Sequence, residues 1–509
     1  MSLDDLAVPT GNDTYFATDH LKTNLGGRTA RGGAVAITAQ ALKFIITIGA
    51  TSVLARLLTP QDYGLIGMVA FVTAFVSLYK DLGLAAATIQ RPEISFDQIS
   101  TLFWINVSLS AAVCIFTAAI APLVSRFYGE PRLTSITIVT AVGFIISGLA
   151  VQHEALLRRQ MRYFALASIG LTSLIIGYVV AILMAWKGFR YWALVGSQLA
   201  FVFTGTVITW TVCRWRPGMP KKDTGVRSML RFGGNFTGFS TINFFSRNLD
   251  NLLIGRVWGA QQLGIYNRAY QLMMLPIDQI NEPISSVAIP SLSRLTDSDI
   301  AYRRAYLRML EKVALLTMPG VALMIVTSDW IVAIVLGPQW REVGLLLVIL
   351  GIVGLIQPIS NTTGWLFITQ GRTKEMFRLS MVGGPITIAS IVAGLPWGAV
   401  GVAASYVTGQ LVMVNILYWY VGRRGPVHTM DFYRTVAPFA AASLSALGAC
   451  IAFRHWQHPV NALGGIIVCT AVTLLTTIFV LAVIPAGRNA LRDAVRSVQL
   501  LASQKGESF

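Results

Sequence analysis

The stretch Arg231–Pro290, RFGGNFTGFSTINFFSRNLDNLLIGRVWGAQQLGIYNRAYQLMMLPIDQINEPISSVAIP, is apolar and long enough for two membrane helices, yet each carries a polar face. In its first half Ser240, Asn243, Arg247, and then Asp250 and Asn251, follow one another at steps of three and four. That spacing puts them on one side of a helix. Arg268, Gln271, Leu275, Asp278 and Glu282 repeat the pattern in the second half, and Pro276, Pro283 and Pro290 punctuate it. Each proline removes a backbone hydrogen bond and invites a bend. An ionisable side chain at membrane depth costs about 2.5–3.5 kcal/mol on insertion scales, so it belongs in a bundle interior or a wet cavity. This pair is expected to wall a polar lumen.

The rest of the chain agrees. Of its 509 residues 54% are hydrophobic and only 12% charged, with a mean hydropathy of +0.62. Soluble domains carry about 25% charge, so a polytopic all-α membrane protein is the expected class. Apolar runs of spanning length fall at about 33–58, 63–88, 98–127, 133–157, 163–186, 191–213, 228–255, 261–290, 306–327, 341–369, 377–395, 398–420, 433–453 and 460–483. That gives about 14 transmembrane helices at about 20 residues each. Residues 329–336 are apolar but too short, and read as part of a loop. Cys114, Cys213, Cys450 and Cys469 lie far apart inside or at the ends of apolar runs, without metal-ligand spacing. Residues 1–32 are polar and lack a basic start followed by a short apolar core, so they read as a largely disordered cytoplasmic tail.

Most of the 40 Lys and Arg fall in the connections that a cytoplasmic N-terminus places inside, which orients both termini to the cytoplasm. The same loops account for most of the net charge of +17, a match to an anionic inner leaflet and not to nucleic acid. Arg488, Arg492 and Arg496 recur every four residues beside Leu491, Val495 and Val498, as in a helix lying on the inner surface.

An internal repeat emerges at an offset of about 200 residues. VLARLLTPQDYGLI (53–66) lies over LIGRVWGAQQLGIY (253–266), matching Arg56 with Arg256, Gln61 with Gln261 and Gly64 with Gly264. The offset superposes the first two spans on the seventh and eighth. The parse is a tail (1–32), an N-lobe of six spans (33–213), a cytoplasmic loop (214–227), a C-lobe of six spans (228–420), two further spans (421–484) and an amphipathic tail (485–509). Lobes with an even number of spans share one orientation, so their repeat axis runs along the membrane normal.

At these residues the resemblance is specific. TSVLARLLTPQDYGLIGMVAFVTAFVSLYKDLGLAAATIQ (51–90) resembles the signature of Wzx-type polysaccharide exporters of the MATE/MOP superfamily of flippases. RNLDNLLIGRVWGAQQLGIYNRAYQL (247–272) is similar to the matching second-lobe segment of the colanic-acid and succinoglycan branch. The resemblance spans roughly residues 32–420. It implies two six-helix lobes in a V shape around a cavity, in the bacterial inner membrane. It further implies a non-enzymatic flippase moving undecaprenyl-diphosphate-linked oligosaccharide to the outer leaflet by alternating access. Partners would be that lipid, the bilayer, and polysaccharide polymerase and chain-length or export machinery.

The residues suit such cargo. A diphosphate bearing a sugar cannot cross hydrocarbon without substitutes for its water, and cationic side chains in a wet lumen supply them. Candidates for substrate binding are Lys43, on a face with Gln40, Thr47 and Thr51; Lys80, on a face with Thr73, Ser77 and Thr88; and Arg247, Arg268, Asn243 and Gln271. Acidic residues offset the cations: Asp250, Asp278 and Glu282 are candidates for ion coupling. Arg247 and Asp250 can instead neutralise each other as an i, i+3 pair, and Lys80 lies close enough to a span end to snorkel. Gln357–Gly364 (QPISNTTG) is a further polar insertion, suited to lumen lining or to helix packing. No phosphate-cradling ATP motif is present and no cofactor or metal is expected, which leaves an ion gradient (Na⁺ or H⁺), the membrane potential or removal of product as the driving force. The alternative is a MATE-like ion-coupled antiporter of drugs or cations, which would call for a predominantly acidic cavity.

Overall fold

The computed structural model describes residue 16 and residues 25–80, 84–90, 94–221, 227–457 and 461–493. The described residues are mostly helical and contain no strand. The helices are α1 Leu25–Leu57, α2 Pro60–Ser77, α3 Leu84–Gln90, α4 Phe96–Tyr128, α5 Arg132–Gly148, α6 Val151–Arg159, α7 Tyr163–Trp186 and α8 Trp192–Val212. There follow α9 Arg227–Ser293, α10 Asp299–Val326, α11 Ser328–Val335, α12 Arg341–Thr369, α13 Thr373–Gly394, α14 Gly398–Gly422, α15 Thr429–Gln457 and α16 Ala462–Val483. Among the described residues 9 helical segments are long and apolar enough to cross a membrane, one of them (Thr373–Gly422) joining α13 and α14. The bent pair α5–α6 makes up to 10.

Two expected spans depart from a single straight helix. Residues 63–88 form α2, which ends at Ser77, and the separate short α3. Between them the sequence places Lys80, Asp81 and Gly83, which offer no apolar continuation. Residues 133–157 form α5 and α6, bent by 42°. The freed groups at that bend are taken up by side chains: the Trp210 indole donates to the Leu149 carbonyl at 2.9 Å, and Thr206 to the Ile146 carbonyl at 3.0 Å.

The continuous α9 is two helices joined at Gly259, whose φ of 78° and ψ of −177° are non-helical. Its arms, residues 227–258 and 260–293, correspond to the two spans expected at 228–255 and 261–290. At the equivalent place 200 residues earlier, α1 gives way to α2 at Thr59. Its hydroxyl accepts from the Asp62 N–H at 3.3 Å, while the Asp62 carboxylate accepts the Thr59 N–H at 2.9 Å. This reciprocal capping box, with Pro60 in the first turn, starts α2 without an orphaned donor.

The chain divides into two compact units, Met1–Gly264 and Ile265–Phe509. This division follows packing, and it falls within the second arm of α9. In the first unit small residues let helices approach closely. A side-chain carbon at Gly64 would collide with the Ala260 carbonyl, and one at Gly264 with the Pro60 carbonyl. These two clashes are exchanged by the 200-residue offset. Gly148 makes room for Ser110, and Gly196 for Met184. A cluster around Phe103, Leu156 and Trp215 fills the end of the unit that carries α3 and α6. Phe16 packs edge-on against Phe96 there, and its carbonyl accepts from Arg159 at 3.1 Å. Residues 1–15 and 17–24 lie outside the described residues.

The second unit is centred on Tyr302, Tyr306, Phe432 and Phe439. Tyr418 stacks on Phe432 at 4.5 Å, and the Tyr306 hydroxyl reaches Thr362 at 2.7 Å. Ion pairs at helix ends, Arg303–Asp431 and Arg372–Glu375, tie the connections together. Residues following α16 pack back on this core through Ala490 and Leu491; Arg496 lies outside the described residues. Large apolar side chains such as Leu123, Ile467 and Phe479 point outward, more than half exposed, as a hydrocarbon solvent allows. This is a multi-pass membrane protein.

Candidate functional site

Lys43 lies in the middle of α1. Gln40, Lys43, Thr47 and Thr51 are all half-buried, whereas Leu42, Ile45 and Val53 are exposed on another face. The polar stripe therefore turns toward protein and the apolar one away from it. The ammonium of Lys43 is laid against Gly170 of α7, where an added side-chain carbon would lie 3.3 Å from Nζ. A larger residue there would compete for the same space. Among the described residues no carboxylate forms an ion pair with Lys43.

Lys80 sits past the end of α2, and its Nζ donates to the Ser147 hydroxyl at 2.9 Å. Arg268 and Gln271 are brought together on one turn of the second arm of α9, Nη1 donating to Oε1 at 2.9 Å. Asp250 is buried, and its carboxylate accepts the N–H of its neighbour Asn251 at 2.8 Å. The side chains of Asn243 and Arg247 lie outside the described residues, so the proposed Arg247–Asp250 pairing does too. Asp278 and Glu282 are both exposed, one turn apart.

Sequence reasoning missed Asn281, which stands between those two acids in the order of the chain. It is buried at 9% exposure, and neither its amide oxygen nor its nitrogen has a hydrogen-bond partner among the described residues. The signal was present: an asparagine four residues after Ile277 and four before Ser285, on one stripe of α9. How deeply that stripe is buried depends on its neighbours, which sequence periodicity cannot place. Of the QPISNTTG insertion, Thr362 and Thr363 are buried packing residues, while Asn361 is exposed. Gln357 is half-buried, with its amide oxygen unpartnered among the described residues.

Outside the spans two groups titrate away from their ordinary range. The Glu130 carboxyl is held low by its hydrogen bonds to Arg132, at 2.8 Å and 2.9 Å. Burial pushes the Cys213 thiol up to about 11. That makes it an inert packing group and not a reactive thiol.

The fold recurs in solved membrane transporters. The lipid II flippase MurJ in an inward closed conformation superposes with a TM-score of 0.72 at 12% identity, over 88% of this chain and 97% of that one. An inward-facing multidrug-resistance MATE transporter of the MOP superfamily gives 0.57 at 14% identity, over 80% and 98%. Identities this low establish the fold alone: the all-α transporter fold of MurJ and MATE proteins. The family comes from sequence. Residues 53–345 match the model described as polysaccharide biosynthesis protein, and with more than half its length matched the chain belongs to that family. Its relatives include the lipopolysaccharide biosynthesis protein WzxC of Escherichia coli, 26% identical over 75% of this chain and 79% of that one. The succinoglycan biosynthesis transport protein ExoT of Rhizobium meliloti is 21% identical over 91% of this chain and 94% of that one. Teichuronic acid biosynthesis protein TuaB of Bacillus subtilis is 26% identical over 81% and 87%. The resemblance read from residues 51–90 and 247–272 thus holds over most of the chain.

Proposed function

We propose that this protein is a flippase of the inner membrane that carries an undecaprenyl-diphosphate-linked oligosaccharide from the cytoplasmic to the periplasmic leaflet, for exopolysaccharide or lipopolysaccharide synthesis. Membership of the polysaccharide biosynthesis family supports the cargo class, and the MurJ-like fold supports a transporter without bond-making chemistry. The single observation that carries the reading is Lys43: a cation inside the span Thr38–Leu57, on a half-buried polar stripe, with no acidic ion-pair partner among the described residues. Keeping such a charge in a span is costly unless it meets an anion. A diphosphate in a wet lumen is that anion. The MATE likeness is one of fold only, and an antiporter of cations would be poorly served by an ammonium there.

In this reading residues 33–213 and 228–420 are the two lobes, the termini face the cytoplasm, and polymerase and export machinery act on the lipid in the periplasmic leaflet after it has crossed. Arg268 with Gln271, and Arg247 with Asn243, supply further contacts to the headgroup, and Lys80 steadies it at the entrance. Losing one charge-assisted contact weakens binding about 10- to 150-fold. Lys43→Gln should therefore abolish most lipid-diphosphate binding and export while the protein accumulates normally, and Lys43→Arg should retain more of both. Full export by Lys43→Gln would sink the proposal. Orientation has its own check: reporter fusions after Arg227 should read cytoplasmic and after Gln457 periplasmic.

A further inference from the structure

The end of the first unit that carries α3 and α6 holds a piece of the N-terminal tail. Arg159 closes α6 and is buried at 5% exposure. Its guanidinium forks between two segments. Nη1 donates to the Thr88 carbonyl of α3 at 3.2 Å, while Nη2 and Nε donate to the Phe16 carbonyl at 3.1 Å and 3.4 Å. A guanidinium removed from water needs acceptors for its donors, and residue 16 brings one from 143 positions away in the chain. The Phe16 ring packs edge-on against Phe96 at 6.2 Å and joins the cluster of Phe103, Leu156 and Trp215. One polar and one apolar contact therefore fix the chain at this residue.

The surroundings of this anchor are basic. Phe96 meets Trp215 at 6.3 Å, and an added side-chain carbon at Gly218 would lie 2.8 Å from the Phe96 ring. The segment 214–221 thus runs beside the ring that Phe16 packs on, and it carries Arg214, Arg216 and Lys221, all exposed. Arg158, exposed, and Arg162, half-buried, adjoin Arg159. Arg162 and Arg216 donate to backbone carbonyls, which satisfy hydrogen bonds without cancelling charge. Residues 1–15 have the opposite composition: Asp4, Asp5 and Asp13, with no Lys or Arg. Asp13 stands three residues before the anchor, and three residues of extended chain reach about 10 Å.

We infer that residues 1–15, which lie outside the described residues, dock across this basic edge, with Phe16 as the anchor and the aspartates against Arg158, Arg162, Arg214 and Arg216. The occupant of the surface is then the chain's own acidic segment, and an anionic ligand that approaches the edge has to displace it. Opposite charges held a few residues from a fixed point need little intrinsic affinity, because the anchor supplies a high effective concentration. The docking stands on these contacts and charges alone, and does not draw on the transport reading.

Cross-linking with a water-soluble carbodiimide tests this on the purified full-length protein in detergent. The reagent joins a carboxylate to a lysine amine as an amide, with loss of water and no spacer, so only groups in contact couple. Asp97 and Lys221, 2.8 Å apart, should couple in every sample and report that the region is folded. In the wild type a fraction of the molecules should instead join Asp4, Asp5 or Asp13 to Lys221, read by mass spectrometry of the linked peptides. Phe16→Ala leaves Asp13 tethered from Leu25, twelve residues away where the anchor was three. A fourfold longer tether lowers effective concentration roughly 8-fold, and the tail cross-link should fall by about that factor. Phe16→Trp keeps an aromatic ring and should retain it. Arg158→Gln combined with Arg162→Gln should lower the tail cross-link and leave the Asp97–Lys221 product intact. A wild type that gives the Asp97–Lys221 product alone overturns the inference, as does a tail cross-link undiminished in Phe16→Ala. If Phe16→Ala also loses the Asp97–Lys221 product, the arginine variant decides: an undiminished tail cross-link there overturns the docking.

Discussion

Thr59 and Gly259 stand 200 residues apart at the same point of the repeat, and they break the helix by different means. At Thr59 the side chains do the work. The backbone is ordinary extended chain, φ −87° and ψ 160°, and the Thr59–Asp62 box satisfies the first donors of α2. At Gly259 the backbone does it: φ is 78°, a region that L side chains avoid, and Gln262 stands where Asp62 would be. The following turns then converge on one geometry. Gly64 and Gly264 each seat the carbonyl of the other arm's first residues, Ala260 and Pro60. A repeat can thus keep its packing contact while its two copies solve the local turn separately.

Three substitution series sharpen or break that comparison. The largest effect is expected at the crossing. Gly64→Val and Gly264→Val both drive a side chain into backbone, which cannot rotate away, and overpacking costs about 1–3 kcal/mol or more. Both variants should lose thermal stability in detergent to a similar extent. If one were tolerated and the other not, the crossing would not be symmetric. Next come the breaks themselves. Gly259→Ala should cost about 1–3 kcal/mol for forcing a side chain into a sparsely populated conformation. Thr59→Ala should cost about 1 kcal/mol for the lost cap, and Thr59→Gly only a few tenths. Were Thr59→Gly as harmful as Gly259→Ala, the side-chain account of the first break would fail.

The smallest effect is expected at the ion pair Glu130–Arg132, near the capping box. Its residues are partly exposed, and such pairs contribute about 0–1 kcal/mol. The Glu130 carboxyl is held low, so whatever it contributes is present at neutral pH and fades as pH falls through the depressed value. Glu130→Gln should flatten a slight loss of stability between neutral and acidic pH and leave the neutral value nearly unchanged. A large drop at pH 7 would mean the pair is more than a surface bridge. Separately, Cys213, with its thiol pushed up to about 11, should resist maleimide at pH 7.5 in the folded protein and react after unfolding. Labelling of the folded protein would show that the loop start it occupies opens.

Hydropathy alone determined much of this molecule, because a bilayer demands long apolar helices with all backbone bonds satisfied internally. Helices α7 and α12 run over residues expected from sequence, and the split of residues 231–290 falls between the two spans read from it. The repeat was legible too, since Gly64 and Gly264 are positions where only the smallest residue fits. What sequence left open is how each polar side chain is surrounded. Lys43 and Lys80 look alike as charges in spans, yet one rests against Gly170 in mid-helix and the other reaches Ser147 past a helix end. Asp278 and Asn281 are neighbours in sequence, yet one is exposed and the other buried. The bend between α5 and α6 is likewise absent from the apolar pattern, because Trp210 and Thr206 of another helix take up the carbonyls there. Periodicity states which residues share a face of one helix. Which neighbour that face meets is decided only when the helices pack.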